Sequence, residues 1–362
     1  MKLIIAGGGT GGHLFPGIAV AEEFLARSPE NEVLFVGTEK GIEGRLLPRQ
    51  GWPHRFIPAA GVRGKGTLGR LKGIAMLLYG YAESRKVLKA YRPDLVLGVG
   101  GYASAPLVFA AKGMQIPCYI HEQNAVPGMS NRLLGRVADK IFISLESSAR
   151  FFPVERTLLT GNPLRRAILD QVAIGAESVA DDCLRLLVFG GSSGARSIND
   201  ALLAALPHLT AVSDRLRITH QTGDADHKRV QEGYAAAGWR AEVVAFIDNM
   251  AEAYRAADLI VCRAGATTIA EVTACGKPCL FIPYPHAVDD HQRRNAEALL
   301  GAGAGVMLLE RELSGERLAG EIAGLLQDRE KLAATAAAAR SLARLDAARV
   351  IVDEMLNRQA EV

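Results

Sequence analysis

His13 stands directly behind five glycines packed into residues 7–12, in the stretch IIAGGGTGGHLFPGIAVAEEFLA (4–26). Read as Gly7-x-Gly9-x-x-Gly12, the stretch has the spacing of a dinucleotide-binding turn. Glycines let backbone N–H groups approach an anion, and the helix that follows adds the positive end of its dipole. That reading also needs an acidic residue at the end of the second strand to hold a ribose. VLFVGTE places Gly37 and Thr38 there, with Glu39 late. His13 brings something the fingerprint lacks: a side chain suited to proton transfer near neutrality, at a helix start that favours the neutral base. A plain helix-capping role competes with this, and residue types alone leave both open.

Five other stretches carry chemistry. Gly190-Gly191-Ser192-Ser193-Gly194 follows an apolar run but lacks the lysine of a P-loop, and no such motif occurs elsewhere, which disfavours ATP hydrolysis. Ser192 and the loop amides suit a diphosphate. VCRAGATTIAEVTACGKP (261–278) ends a strand and opens a helix with the small residues Gly265, Ala266, Thr267 and Thr268, a phosphate-sized nest. Glu271, one turn on, suits ribose hydroxyls, although alone it would read as a solvated glutamate. PYPHAVDDHQRRNAEAL (283–299) gathers His286, Asp289, Asp290, His291, Gln292 and Asn295 at a spacing that matches no zinc pattern. Such side chains suit a sugar, whose hydroxyls need paired donors and acceptors. GVGGYASAP (98–106) and HEQNAVPG (121–128) each follow a strand, and four consecutive polar residues at 121–124 are costly to bury without purpose.

These loops need a scaffold with one common edge. Strand-like runs at 3–6, 33–36, 95–99, 118–121 and 140–143 alternate with helical patterns, and the alternation restarts at 184–189, 217–220, 242–246, 259–262 and 279–282. The pattern predicts an α/β protein with two doubly wound parallel-sheet, Rossmann-like domains facing a cleft, with ligands at the carboxyl ends of the strands. The periodicity restarts after TGNPLRRAIL (160–169), and the boundary expected near residue 163 gives domains 1–162 and 163–362, the second with closing helices in its alanine-rich tail, whose packing partner the pattern leaves open.

The chain has 362 residues, 49% of them hydrophobic, and a net charge of +3. Residues 1–162 carry 20 Lys/Arg against 12 Asp/Glu, and the remainder 22 against 27, so a basic half joins an acidic half. Five cysteines without a C-x-x-C pair argue against a disulfide framework and for a reducing compartment. Neither a signal peptide nor a membrane span is expected. Between Arg63 and Arg92, eight basic residues and one acidic residue surround the apolar run Ile74–Tyr79. A helix so ringed, with Lys72, Ile74, Met76, Leu77 and Tyr79, suits an anionic lipid surface; a fully buried helix is the rival reading.

Taken in order, GGGTGGH, GVGGYASAP, HEQNAVPG, TGNPLR, GGSSGAR, HQTG (220–223), FIDNMAEAY (246–254), CRAGATTIAE and DDHQRRNA strongly resemble the bacterial MurG family over almost the full length. The resemblance implies a GT-B fold and an inverting transfer. N-acetylglucosamine would pass from UDP-N-acetylglucosamine to the C4 hydroxyl of the muramic acid sugar of lipid I, giving lipid II. It implies Arg165 and Ile247 at the uracil side, Glu271 at the ribose, and Ser192 with Gly265, Ala266, Thr267 and Thr268 at the diphosphate. His291 and Gln292 would meet the sugar, the former less securely because some relatives carry glutamine there. Thr10, Gly11, Gly12 and Asn124 would also contact the donor, with Tyr102, His121 and Asn199 on the acceptor side. His13 is the first choice for general base and Glu122 the second. No obligatory metal ion and no cofactor beyond the donor substrate are expected. The implied partners are UDP-N-acetylglucosamine, lipid I and an anionic membrane surface, with no nucleic acid, at the cytoplasmic face of the plasma membrane. Rival readings are a UDP-N-acetylglucosamine 2-epimerase or a soluble-acceptor glycosyltransferase. More distant are a nicotinamide-dependent oxidoreductase and a non-catalytic sugar-nucleotide binding protein.

Overall fold

The structure, a computed structural model, describes residues 1–59, 67–174 and 183–357, with the side chains of 67–74 excepted. It divides into two compact units, Met1–Arg166 together with Arg344–Val362, and Ala167–Ala343.

The first unit is built on β1 (Lys2–Ala6), β2 (Glu32–Gly37), β3 (His54–Phe56), β4 (Leu95–Gly98), β5 (Cys118–Glu122), β6 (Lys140–Ile143) and β7 (Thr157–Leu159). They form one parallel sheet in the order β3-β2-β1-β4-β5-β6-β7. The second unit holds β8 (Leu184–Phe189), β9 (Leu216–Gln221), β10 (Ala241–Val244), β11 (Leu259–Cys262), β12 (Cys279–Phe281) and β13 (Val306–Met307). Its parallel order is β10-β9-β8-β11-β12-β13. A parallel sheet must be covered on both faces, so successive strand residues feed different cores. Leu3 and Ile5 join one apolar cluster while Ile4 and Ala6 join another. Leu186 and Val188 part in the same way from Leu187 and Phe189. In each sheet the strand order reverses once, between β1 and β4 and between β8 and β11, which opens a crevice at the carboxyl ends there.

All ten strands expected from the sequence are present. β3, β7 and β13, which the pattern did not reveal, are sheet edges of two or three residues. They are too short to show a period and join the sheets by pairing with a single neighbouring strand.

The tail departs from the expected division at 163. The helix Ala347–Asn357 packs on the helix Gly11–Ala26 of the first unit, with Ile351, Val352 and Met355 completely buried beside Leu14, Ile18 and Phe24. Arg27 pairs with Asp353 at 2.7 Å, and Lys140 pairs with Glu354. That helix supplies the apolar face missing from one side of the first sheet. Helices Gly315–Gln327 and Arg329–Ser341 stay with the second unit.

Candidate active site

In the first unit the loops after β1 and β4 interlock at the reversal point. Gly7 N–H donates to Val36 O at 3.0 Å and Gly8 N–H to Gly100 O at 3.3 Å. A Cβ on Gly7 would collide with the Gly100 carbonyl, and one on Gly101 (φ +82) with the Gly8 carbonyl. Gly9 N–H donates at 2.6 Å to the carboxylate of Glu43. Three successive amides are therefore committed inside the unit, which explains why a dinucleotide spacing here does not make a dinucleotide site. His13 sits in the first turn of the helix Gly11–Ala26, beside Gly100, where a Cβ would lie 2.8 Å from its ring. Its Nδ1 lies 3.1 Å from Gly8 O and 3.3 Å from Thr10 Oγ1. A carbonyl oxygen only accepts, so Nδ1 carries the proton in the neutral ring and Nε2 the lone pair. Thr10 and Tyr102 are exposed, Gly11, Gly12 and Asn124 half-buried.

The two neighbours at the end of β5 are interior. His121 Nε2 lies 3.2 Å from both Gly161 O and Ser144 Oγ, and its Nδ1 3.1 Å from Gln123 Nε2. Burial pushes its pKa down to about 4, with a smaller push from nearby His13. Its acceptor-side position is thus corrected to one beneath the surface, fixing the carboxyl ends of β5 and β6. Glu122 accepts from Asn124 N–H at 2.9 Å, Asn124 Nδ2 at 3.2 Å, Gly128 N–H at 3.2 Å and Asn131 Nδ2 at 2.9 Å. Burial raises its pKa against the pull of these donors. A carboxylate with both oxygens so engaged shapes the 123–128 turn. Arg165 lies over the Phe15 ring at 4.6 Å, a cation–π contact within the same unit.

In the second unit the loops after β8, β9, β10, β11 and β12 share one sheet edge. The Gly190–Gly194 turn rests on Thr222–Gly223, where a Cβ on Gly194 (φ +75) would meet Thr222 O, and Ser192 is exposed at its tip. The helix Ala266–Ala274 starts at Gly265, a cap with no side chain to close the first turn. Thr267 and Thr268 are half-buried there. Glu271 is 4% exposed, and its Oε2 accepts from the buried Tyr254 hydroxyl at 2.9 Å. Ile247 is half-buried against the cluster holding Tyr254 and Ile269. After β12, Asp289 and Asp290 both take φ +54, a left-handed pair that few non-glycine residues adopt. This sharp turn leads into the helix His291–Leu300, where Gln292 Oε1 accepts Tyr284 N–H at 3.0 Å and His291 Nδ1 lies 2.8 Å from Val288 O.

Other expectations change. Asn199 is 1% exposed in the second unit's interior, donating to Thr222 O and Asp226 Oδ2, with its own carbonyl oxygen 3.1 Å from His220 Nε2. Its acceptor-side placement is corrected to a structural hub. Asp224-Ala225-Asp226 is a D-x-D triplet, and among the described residues no group of three or more His, Cys, Asp and Glu side chains is placed to hold a metal ion. The Arg229 guanidinium, with help from Asn199, holds the Asp226 carboxyl below its ordinary range. On the helix Thr67–Tyr91, Leu78 and Tyr79 are 68% and 58% exposed while Met76 and Leu77 are half-buried; the side chains of Lys72 and Ile74 lie outside the described residues. Among the described residues no helix is long and apolar enough to cross a membrane.

Three contributors escaped sequence reasoning. Glu43 is buried beneath the first loop, Tyr254 braces Glu271, and Arg263 ties the second unit's loops together. Arg263 donates to Ile282 O, Pro283 O and Ser197 Oγ and pairs with Glu310 at 2.6 Å. A usable signal for Glu43 was present in its flanking glycines, GIEG at 41–44.

Two parallel Rossmann-type units, one with a glycine-loop histidine and one with a glycine turn and a helix start beside a buried glutamate, have the architecture of the GT-B class. Residues 3–143 match the glycosyltransferase family 28 N-terminal domain and residues 185–351 its C-terminal domain. A Geobacter sulfurreducens protein named UDP-N-acetylglucosamine--N-acetylmuramyl-(pentapeptide) pyrophosphoryl-undecaprenol N-acetylglucosamine transferase is 67% identical over 357 residues, covering 98% of each chain. One of the same name from Geotalea daltonii is 62% identical, covering 99% of this chain and 98% of its own. The crystal structure of Acinetobacter baumannii MurG matches with a TM-score of 0.80 at 33% identity, covering 98% of this chain and 99% of that one. The chain belongs to the MurG family of glycosyltransferases. A Neisseria meningitidis UDP-GlcNAc 2-epimerase, at 15% identity and TM-score 0.71 over 99% of this chain and all of that one, shares the fold alone.

Proposed function

We propose that this protein transfers N-acetylglucosamine from UDP-N-acetylglucosamine to the C4 hydroxyl of the N-acetylmuramyl sugar of lipid I, giving lipid II with inversion at C1. The observation that carries this is identity of 60–67% across nearly the whole chain with relatives named for that transfer. In this reading the second unit holds the donor. Ser192 and the turn amides, with the helix start at Gly265–Thr268, take the diphosphate; Glu271 takes the ribose; Gln292 and His291 meet the sugar. Ile247 completes the donor contacts of that unit, and Tyr102 serves the acceptor.

The step is a single displacement. The acceptor oxygen forms its bond to C1 as the bond from C1 to the β-phosphate oxygen breaks, and the hydroxyl proton passes to His13 Nε2. The negative charge that develops on UDP is stabilised by backbone N–H groups and the helix dipole. Those groups are assigned the part a metal ion could play, so chelation by EDTA is expected to leave the transfer rate unchanged.

The exposed Leu78 and Tyr79, close to Arg85 and Lys86 on the same helix, are read as the contact with an anionic membrane at its cytoplasmic face. Incubation of the protein with UDP-[14C]N-acetylglucosamine and a polyprenyl-diphosphate-linked muramyl acceptor tests the function. A lipid-linked β-1,4 disaccharide supports it. Epimerised UDP-sugar, or transfer only to soluble acceptors, overturns it.

A further inference from the structure

We propose that Glu43 is a positioning residue for the transfer, holding the Gly8–Gly9 peptide in the one orientation that sets the tautomer and aim of His13. The proposal rests on the reading of His13 as the base.

Glu43 is 1% exposed, and among the described residues no cation pairs with it. A buried carboxylate is tolerated only when donors saturate it. Here Oε2 accepts Gly9 N–H at 2.6 Å, while Oε1 accepts Thr38 N–H at 2.9 Å and the Thr38 hydroxyl at 2.8 Å. Space for the carboxylate exists because Gly8, Gly37 and Gly41 surround it, and a Cβ on any of them would strike the Glu43 side chain.

The Gly9 N–H and the Gly8 C=O are the two ends of one peptide plane. One end donates to Glu43, and the other accepts from His13 Nδ1 at 3.1 Å. Glycines with φ of +139 and +88 flank that plane, so rotation of the peptide is cheap unless something holds it. Glu43 holds it. With the carbonyl fixed toward the imidazole, Nδ1 is the protonated nitrogen and Nε2 keeps the lone pair that takes the acceptor proton. Rotation would present an N–H to Nδ1 instead and move the proton to Nε2, the form that cannot act as the base.

Glu43→Gln keeps the shape but replaces one acceptor oxygen with an NH2 group that faces N–H donors. The expected result is a kcat lower by about tenfold to a hundredfold, as for small misplacements of a reacting group. The KM for UDP-N-acetylglucosamine should stay unchanged, since the donor loops lie in the other unit. Two readouts separate positioning from general structural damage. In a double-mutant cycle, Glu43→Gln should cost almost nothing once His13→Ala is present. In 15N spectra of histidine-labelled protein, His13 should move from the Nδ1-protonated form toward the Nε2-protonated form. Should Glu43→Gln not fold, Thr38→Val loosens the same clamp by one hydrogen bond and should move both readouts the same way, by less. A kcat loss equal in both backgrounds, or an unchanged His13 tautomer, overturns the proposal. Wild-type kcat in His13→Ala alone overturns instead the reading of His13 as base, and the spectra still decide what Glu43 does.

Discussion

The glycine turns after β1 and β8 occupy equivalent places, each at the carboxyl end of the first strand of its sheet and at the point of reversal. Their surroundings differ. The first turn gives three amides to Val36, Gly100 and Glu43, lies over a buried carboxylate, and is followed by a histidine. The second closes on itself through Gly194 N–H to Gly191 O at 2.9 Å, presents Ser192 and Ser193 outward, and has the uncapped helix start at Gly265 across the reversal point. One architecture is thus built twice, once with its amides committed inside the unit and a histidine behind them, and once with serines and a helix start turned outward. The difference lies in what sits under the glycines rather than in their spacing.

The largest contrast is expected from a methyl group added at the packing contact of the first turn and within the second. Gly101→Ala places a Cβ against the Gly8 carbonyl at φ +82, where the loops interlock, and should destabilise the first unit by about 3–5 kcal/mol in chemical denaturation. Gly191→Ala meets nothing within 4 Å and bears only the strain of φ +93, so about 1–2 kcal/mol is expected. Equal costs would show that the two turns are packed alike.

A second contrast sets both units against acid. His121 in the first and His220 in the second are held near pKa 4 by burial, against an ordinary 6.5. Above pH 6.5 both are neutral whether folded or unfolded, and neither affects stability. Between pH 6.5 and 4 the unfolded chain binds protons that the native state refuses, so stability falls as pH falls and levels off below 4. Each site should account for roughly 3 kcal/mol across that window. Urea titrations of the protein at pH 7 and 4.5, repeated on His121→Asn and His220→Asn, check it: each variant should lose less stability than the parent.

Smaller, and confined to the donor side, is Glu271→Ala. It removes the proposed ribose acceptor and leaves the buried Tyr254 hydroxyl without its partner, so UDP affinity should fall by about 1–3 kcal/mol, roughly tenfold to a hundredfold. Calorimetric titration with UDP measures this, and unchanged affinity would remove Glu271 from the ribose site.

Much of this was legible in the sequence, for physical reasons. Interior strands such as β1 and β8 are apolar on both faces and announce themselves, whereas β13 has only Val306 and Met307. The loops that carry the site were marked by glycine and polar clusters. What could not be read was direction. His121 and Asn199 stand in polar stretches that read as binding loops, yet their side chains turn inward to bind backbone carbonyls. Glu43 was hidden because its function depends on a peptide plane more than thirty residues away in the chain. The tail looked like part of the second half because only its apolar face, and not its sequence position, decides where it packs.

The proposed division of labour has the first unit move the proton and the second hold the donor. It is tested most directly by His13→Ala, measured for UDP-N-acetylglucosamine binding by calorimetry and for single-turnover transfer to a lipid-linked acceptor. The expected result is wild-type donor affinity with transfer slowed by about 10²–10⁴-fold. Transfer at the wild-type rate, or a loss confined to donor affinity, would contradict it.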